Sequence, residues 1–307
     1  MSLSASDLFI RIIENTPFSE PELALLILTA PTRYKEHFIG KRNGRGKRLI
    51  SQPTAELKLI QRWLIRHELN HLPIDPHATA YRTGLSIKDH VEHHTHSHFL
   101  LKLDFENFFP SLTDKALQYR LCRDTNYSET DVFILTRLLC RKPRIEDTYR
   151  LSIGAPSSPH ISNYLLIEFD QKLSAYCNEN SLSYSRYADD IAISSTRART
   201  LDPAHEFVIQ LLNELNYLGL KLNDEKTINV SKKYRRELVG LVVSNQGNVS
   251  LGRDEKRKLR AAIHAYSLSK LTADEISRLR GQIAYSRSIE PKFVENLFRR
   301  HGIASIK

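Results

Sequence analysis

The sequence predicts an α+β fold built around a split βαβ (ferredoxin-like) sheet, and three observations predict it. Short alternating runs read as strands, and apolar positions at helical spacing between them read as helices. Their order through the middle of the chain, with segment 113 to 157 set aside, is β-α-β-β-α-β. In that arrangement the two central strands lie side by side.

Residues 4 to 70 open with amphipathic helical patterns, one introduced by Ser19 and Glu22 in capping-box spacing. The basic hairpin FIGKRNGRGKRLISQP (38 to 53) follows, its turn marked by Asn43-Gly44, and AELKLIQRWLIRHEL continues as helix. HFLLKLDF then alternates, so Phe99, Leu101 and Leu103 share one face while Lys102 and Asp104 share the other. A helix carrying Leu165, Leu166, Phe169, Leu173 and Tyr176 leads to the hairpin SRYADDIAIS (185 to 194). Asp202-Pro203 reads as a cap residue and a first-turn proline, with Phe207, Leu211, Leu215 and Leu218 along one side of the next helix. LKLNDEKTINV and ELVGLVVS read as strands that close the middle region.

The composition, 41% hydrophobic and 26% charged over 307 residues, is that of a globular protein with ample core. No stretch approaches the ~20 apolar residues of a membrane span. MSLSASDLFIRII has neither the basic start nor the long apolar core of a signal peptide, so a cytoplasmic location and no membrane partner are expected. Three cysteines without a CxxC pair suggest neither a disulfide framework nor a zinc finger. The net charge is +10, and residues 231 to 307 hold 17 Lys and Arg against seven Asp and Glu, which accounts for all of it. That basic stretch is either a solvated surface or a phosphate-binding module, and charge alone leaves both open. The run HVEHHTHSH matches no standard zinc spacing and reads as RNA contact or loop.

Asp189 and Asp190 sit side by side at the tip of a tight hairpin. Two carboxylates ~4 Å apart repel by roughly 4 kcal/mol at an effective dielectric near 20. An isolated Asp pair at such a tip reads as an exposed turn. With Asp104 on the adjacent strand, three carboxylates converge with no obligate basic partner nearby in sequence, and a metal reading becomes the better one. Oxygen-only ligands suit Mg²⁺, and two such ions about 3.5–4 Å apart can stabilise an in-line phosphoryl displacement.

Tyr187-Ala188-Asp189-Asp190 resembles the tyrosine-x-Asp-Asp signature of reverse transcriptases, and further segments follow in that family's order. LKLDFENFFPSL (101 to 112) resembles the strand with the first catalytic aspartate, and GAPSSPHISN (154 to 163) the turn that contacts template and nucleotide. LGLKLNDEKT (218 to 227) resembles the segment whose lysine sits near the leaving pyrophosphate. Taken together the motifs are most similar to bacterial retron reverse transcriptases, from about residue 33 to about residue 300.

The resemblance implies a right-hand polymerase with fingers, a split-βαβ palm and a helical thumb. It implies N-terminal helices and fingers over 1–98, the first palm strand over 99–112, an insertion over 113–157, the remaining palm and primer grip over 158–245, and a basic thumb over 246–307. Asp104, Asp189 and Asp190 would ligate two Mg²⁺, and Lys226 would serve the pyrophosphate. Phe109 would exclude a ribose 2′-OH, in company with Phe105, Ala155 and Pro156 at the substrate. Lys47 and Arg48 would clamp the triphosphate. ELVGLVVS would be the primer grip, and Lys256, Arg257, Lys258 and Arg260 would hold the duplex.

Three segments depart from the subfamily. His90-Val91-Glu92-His93-His94 stands where Asn-Ala-x-x-His is usual, Leu238-Val239-Gly240 where Val-Thr-Gly is usual, and Ile153 where many relatives have Gln. His90 and His94 are expected to touch the cognate RNA, with the pKa of His90 raised by nearby phosphates.

The implied partners are a cognate structured noncoding RNA and its DNA copy, deoxynucleoside triphosphates, an effector or toxin protein from the same locus, and a host RNase H. The implied product is a branched DNA–RNA primed from an internal guanosine 2′-OH, in defence against phage. A chain that stops at Lys307 is expected to carry no RNase H, endonuclease or integrase domain. The alternatives are another small defence reverse transcriptase without a branched product, and a nonpolymerising RNA-binding scaffold that restrains a toxin.

Overall fold

The computed structural model describes residues 3–40, 44, 46–145 and 147–306. The expected turn residue Asn43 lies outside these. Helices α1 (Asp7–Asn15) and α2 (Glu20–Thr29) begin the chain, the first capped by Ser6 and the second by the expected Ser19–Glu22 box. Strands β1 (Tyr34–Gly40) and β2 (Lys47–Pro53) pair antiparallel. Helix α3 (Ala55–Leu64) runs on into a π-helical turn, Ile65–Leu69, and the short α4 (Ile87–Glu92) follows.

The central sheet takes β3 (Phe99–Asp104), then, beyond α5 (Phe108–Ser111), α6 (Asp114–Asp124), α7 (Glu129–Leu139), α8 (Ser158–Leu165) and α9 (Ile167–Glu179), the hairpin β4 (Ser183–Tyr187) and β5 (Asp190–Ser195). Helix α10 (Leu201–Glu214) returns the chain to β6 (Ile228–Ser231). The spatial order is β4-β5-β3-β6, every pairing antiparallel, so β3 and β5 are the adjacent central strands of a split βαβ sheet.

ELVGLVVS does not join this sheet. It forms β7 (Arg236–Leu238) and β8 (Leu241–Val243), which with β9 (Val249–Ser250) make a separate three-stranded sheet. Only the end of LKLNDEKTINV is strand, because Asp224–Lys226 winds into a 3₁₀ turn. The helical stretch through Leu165 and Tyr176 is two helices meeting at Leu166. Asp202 lies inside the first turn of α10 and accepts from Asn229 Nδ2 at 2.9 Å, while Thr200 holds the cap position.

Alternation described only one face of β3 as apolar, yet both are covered. Leu101 and Leu103 enter a core shared with α1, α2, α3, α6, α7, α9 and α10. Leu100, on the opposite face, is buried with Val91, Ala192, Leu238 and Leu241 beneath the small sheet. The large core draws on both sides of the expected boundary at 98/99. Helices α11 (Gly252–Ser267), α12 (Ala273–Ile289) and α13 (Pro291–Arg300) close on their own apolar cluster, which includes Leu259, Ile263, Leu279, Ile283 and Val294. Among the described residues no helix is long and apolar enough to cross a membrane.

Candidate active site

Asp104 ends β3 directly opposite Asp190, the first residue of β5, and Asp189 occupies the turn between β4 and β5. That turn needs a left-handed backbone at Ala188 (φ 58°), an uncommon conformation for a residue with a Cβ. Arg186 holds it by donating from Nη1 to the Ala188 carbonyl at 3.0 Å. Arg186 is itself wholly buried, bidentate with Asp170 at 2.8 and 2.6 Å and within 3.2 Å of Asn163 Oδ1. Tyr184 donates its hydroxyl to the same Asp170 at 2.6 Å. This network went unread in the sequence. Its signal was Asp170 within the apolar stripe of Leu166, Phe169 and Leu173.

The three carboxylates do converge, but not without basic partners. Lys226 Nζ lies 2.7 Å from Asp104 Oδ1, and Lys102 Nζ lies 2.9 Å from Asp190 Oδ1. The 3₁₀ turn delivers Lys226 because Asn223 N–H donates to the Asp104 carbonyl at 2.8 Å. Lys102 is on the face of Asp104 and diagonal to Asp190 across the strand pair. Burial raises the pKa of Asp104, an effect that Lys226 opposes. Burial, then the neighbouring Asp104 and Asp190, raise that of Asp189, which makes no ion pair among the described residues.

Among the described residues no group of three or more His, Cys, Asp or Glu forms a ready-made metal cage. The donor chemistry nonetheless fits a hard divalent cation. All three donors are carboxylates, and Asp189 is disfavoured as an anion by burial and by its two acidic neighbours, a state that a bound cation relieves.

A cleft of about 380 Å³ is lined by Phe109, Tyr81, Ala155, Pro156, Lys58 and Arg62, among others, and it adjoins the carboxylates through Tyr81, whose pKa is raised by burial and then by the nearby Asp189. Phe109 is wedged between Phe108 and Tyr81, with ring centroids 5.2 and 6.4 Å away. Gly154 (φ +119°) allows the following turn to press on β2: a Cβ there would stand 3.0 Å from the Ser51 carbonyl oxygen and 3.1 Å from Ile50 Cγ2. Ser51 N–H donates to the Ile153 carbonyl across the same contact at 2.8 Å. Lys47 and Arg48 are exposed at the start of β2, outside the cleft lining.

The reverse transcriptase (RNA-dependent DNA polymerase) family pattern matches residues 39–243. The chain is 37% identical over 291 residues to the retron Ec83 reverse transcriptase of Escherichia coli, covering 94% of this chain and 93% of that protein. It is 30% identical over 295 residues to the retron Ec86 reverse transcriptase of Escherichia coli, covering 94% and 88%. This chain belongs to the retron reverse transcriptases. It is a retron's RNA-directed DNA polymerase. Apo telomerase from Candida Tropicalis matches in fold with a TM-score of 0.51 at 13% identity, over 97% of this chain and 62% of that one. The α+β right-hand polymerase fold expected from the sequence is the fold observed.

Several expected contacts of this reverse transcriptase fall elsewhere. The Phe105 side chain is in the core, stacked on Phe108 and edge-on to Phe169, so it does not line the cleft. His90, on α4, and His94, just beyond it, are 0% and 1% exposed, which removes them from any RNA surface. Burial pushes the pKa of His90 down to about 3 and lowers that of His94 too, the reverse of the expected rise. Lys256 pairs with Glu290 at 2.7 Å and lies over the Phe293 ring, which Arg260 also covers, so both basic groups tie α11 to the α12–α13 corner. Arg257 and Lys258 remain exposed, paired along α11 with Asp254 and Glu255.

Proposed function

We propose that this reverse transcriptase copies part of a cognate structured noncoding RNA into branched DNA–RNA, priming from an internal guanosine 2′-OH, in cytoplasmic defence against phage. The observation that carries the polymerase site is the convergence of Asp104, Asp189 and Asp190 beside the Phe109 cleft. The branched product rests on the likeness to retron enzymes.

Asp104, Asp189 and Asp190 would hold two Mg²⁺, which when bound activate the primer hydroxyl and neutralise charge on the leaving pyrophosphate. Lys226, 2.7 Å from Asp104 in this structure, would be the ammonium available to pair with the departing anion once a cation balances that carboxylate. Phe109, packed against Phe108 and Tyr81, rejects a ribose by bulk, with Ala155 and Pro156 lining the same cleft. Lys58 and Arg62 offer charge to phosphates in the cleft, and Lys47 and Arg48, exposed on the hairpin outside its lining, would add charge to the triphosphate from there.

A larger groove of about 880 Å³ shares Lys58 and Arg62 with this cleft and adds Lys35, Arg66 and Trp63. Its charge and its aromatic ring suit the single-stranded template upstream of the copying point. The division into N-terminal helices and fingers (1–98), palm (99–112 and 158–245), a fingers/palm insertion (113–157) and thumb (246–307) is part of the same proposal, with Arg257 and Lys258 on the duplex. An effector protein and a host RNase H complete the expected partners.

The test is the nucleic acid that copurifies with the protein expressed from its own locus. A branched DNA–RNA species supports the proposal, and RNA without attached DNA refutes the branched product.

A further inference from the structure

The face of the central sheet that carries Asp104 and Asp190 continues, two and four residues along, into a buried polar chain. Asp190, Ala192 and Ser194 share that face on β5, and Ser185 and Tyr187 share it on β4. Ser185 and Ser194 are diagonal neighbours across the catalytic hairpin, since Ser185 opposes Ala192 and Ser183 opposes Ser194. Between them sits one imidazole. His94 Nε2 is 2.9 Å from Ser185 Oγ, and His94 Nδ1 is 2.7 Å from Ser194 Oγ.

The chain extends at both ends. His90 Nδ1 is 2.7 Å from Ser185 Oγ, and Ser194 Oγ donates to Ser97 Oγ at 2.8 Å. His90, His94, Ser97, Ser185 and Ser194 are all buried. One assignment of protons satisfies these four contacts with both rings neutral, the 3.3 Å approach of Ser185 Oγ to the His90 carbonyl being left without the proton. His90 Nδ1–H donates to Ser185, Ser185 to His94 Nε2, His94 Nδ1–H to Ser194, and Ser194 to Ser97. The one atom left over is His90 Nε2, a bare lone pair in this assignment rather than a stranded N–H, which is the less costly remainder.

We propose that His94 is a positioning residue for nucleotide transfer: by bonding a serine on each strand it pins the β4–β5 register that presents Asp189 and Asp190. A slip of one residue would turn every side chain of that hairpin to the other face. His90 supports the strap from α4 through Ser185, and its ring lies 5.8 Å from that of Tyr187 at the turn end of the hairpin. The proposal rests on reading Asp104, Asp189 and Asp190 as the polymerase site.

The deciding variant combines His94→Phe with Ser97→Ala, Ser185→Ala and Ser194→Ala, which removes the bridge without leaving the hydroxyls it joined unpaired. On a generic annealed primer–template we expect kcat to fall about tenfold or more. KM for dNTP, primer–template affinity and the melting midpoint should stay near wild type, while backbone amide exchange from Ile191 to Ser195 quickens. Wild-type kcat in that variant overturns the strap. Should it fail to fold, His94→Gln, whose amide reaches only one strand, decides instead: reduced kcat at an unchanged midpoint supports the strap, and unchanged kcat overturns it. An Asp189→Asn control keeps the two readings apart, because synthesis by that control would overturn the site itself.

Discussion

Lys226 Nζ stands 2.7 Å from Asp104 Oδ1, joining a half-exposed ammonium to a carboxylate that is only 6% exposed. With Lys102 on Asp190, two of the three acidic groups have a lysine where a divalent cation would otherwise balance them. Asp189 has no such partner among the described residues, and it bears the strain of the site.

Asp189→Asn should therefore stabilise the metal-free protein while abolishing synthesis. The folded-state pKa of Asp189 is raised, so its contribution to stability is full at low pH and is lost as pH rises through that pKa. At neutral pH the wild-type carboxylate is a liability that Asn removes. Melting curves at pH 7 with and without Mg²⁺ check this: the variant should melt higher than metal-free wild type and gain less from Mg²⁺. A lower metal-free midpoint would count against the account.

Phe109→Ala should admit ribonucleotides, on the order of tenfold or more, because the rejection of the 2′-OH proposed for it is by bulk. Extension of one primer with dNTP or NTP measures it. Unchanged discrimination would make Phe109 a packing residue for Phe108 and Tyr81.

Arg186→Met should lower stability by about 3–5 kcal/mol, since it leaves Asp170 charged and buried with only Tyr184 to bond it. Urea unfolding reads the loss. Synthesis should fall further than the folded fraction explains, because the Ala188 carbonyl loses its donor as well.

Arg257→Gln with Lys258→Gln should flatten the salt dependence of duplex binding by about 0.9 in log–log slope per lost phosphate contact. Lys256→Gln should instead lower the melting midpoint with little change in slope, as its ammonium is committed to Glu290. Binding isotherms at several salt concentrations separate the two.

The legible parts of the molecule were those with local signals. The alternation around Asp104 and the paired aspartates of the hairpin predicted two adjacent strands, and β3 and β5 pair in that way. Lys102 could have been read as well, being two residues from Asp104 on the same face. Arg186 and Asp170 were not legible as partners, because strand β4 and helix α9 meet only in the folded core. His90 and His94 misled for a related reason. A polar run reads as surface until α4 and the small sheet close over it, and β7 and β8 form that cover in a sheet of their own, outside the predicted order.

The most direct test of the polymerase site is incorporation of labelled dNTP on an annealed RNA template by the purified protein in Mg²⁺, comparing wild type with Asp104→Asn and Asp189→Asn. Wild type should extend the primer, and both variants should bind the same template yet give no product. Robust extension by either variant would contradict the assignment of Asp104, Asp189 and Asp190.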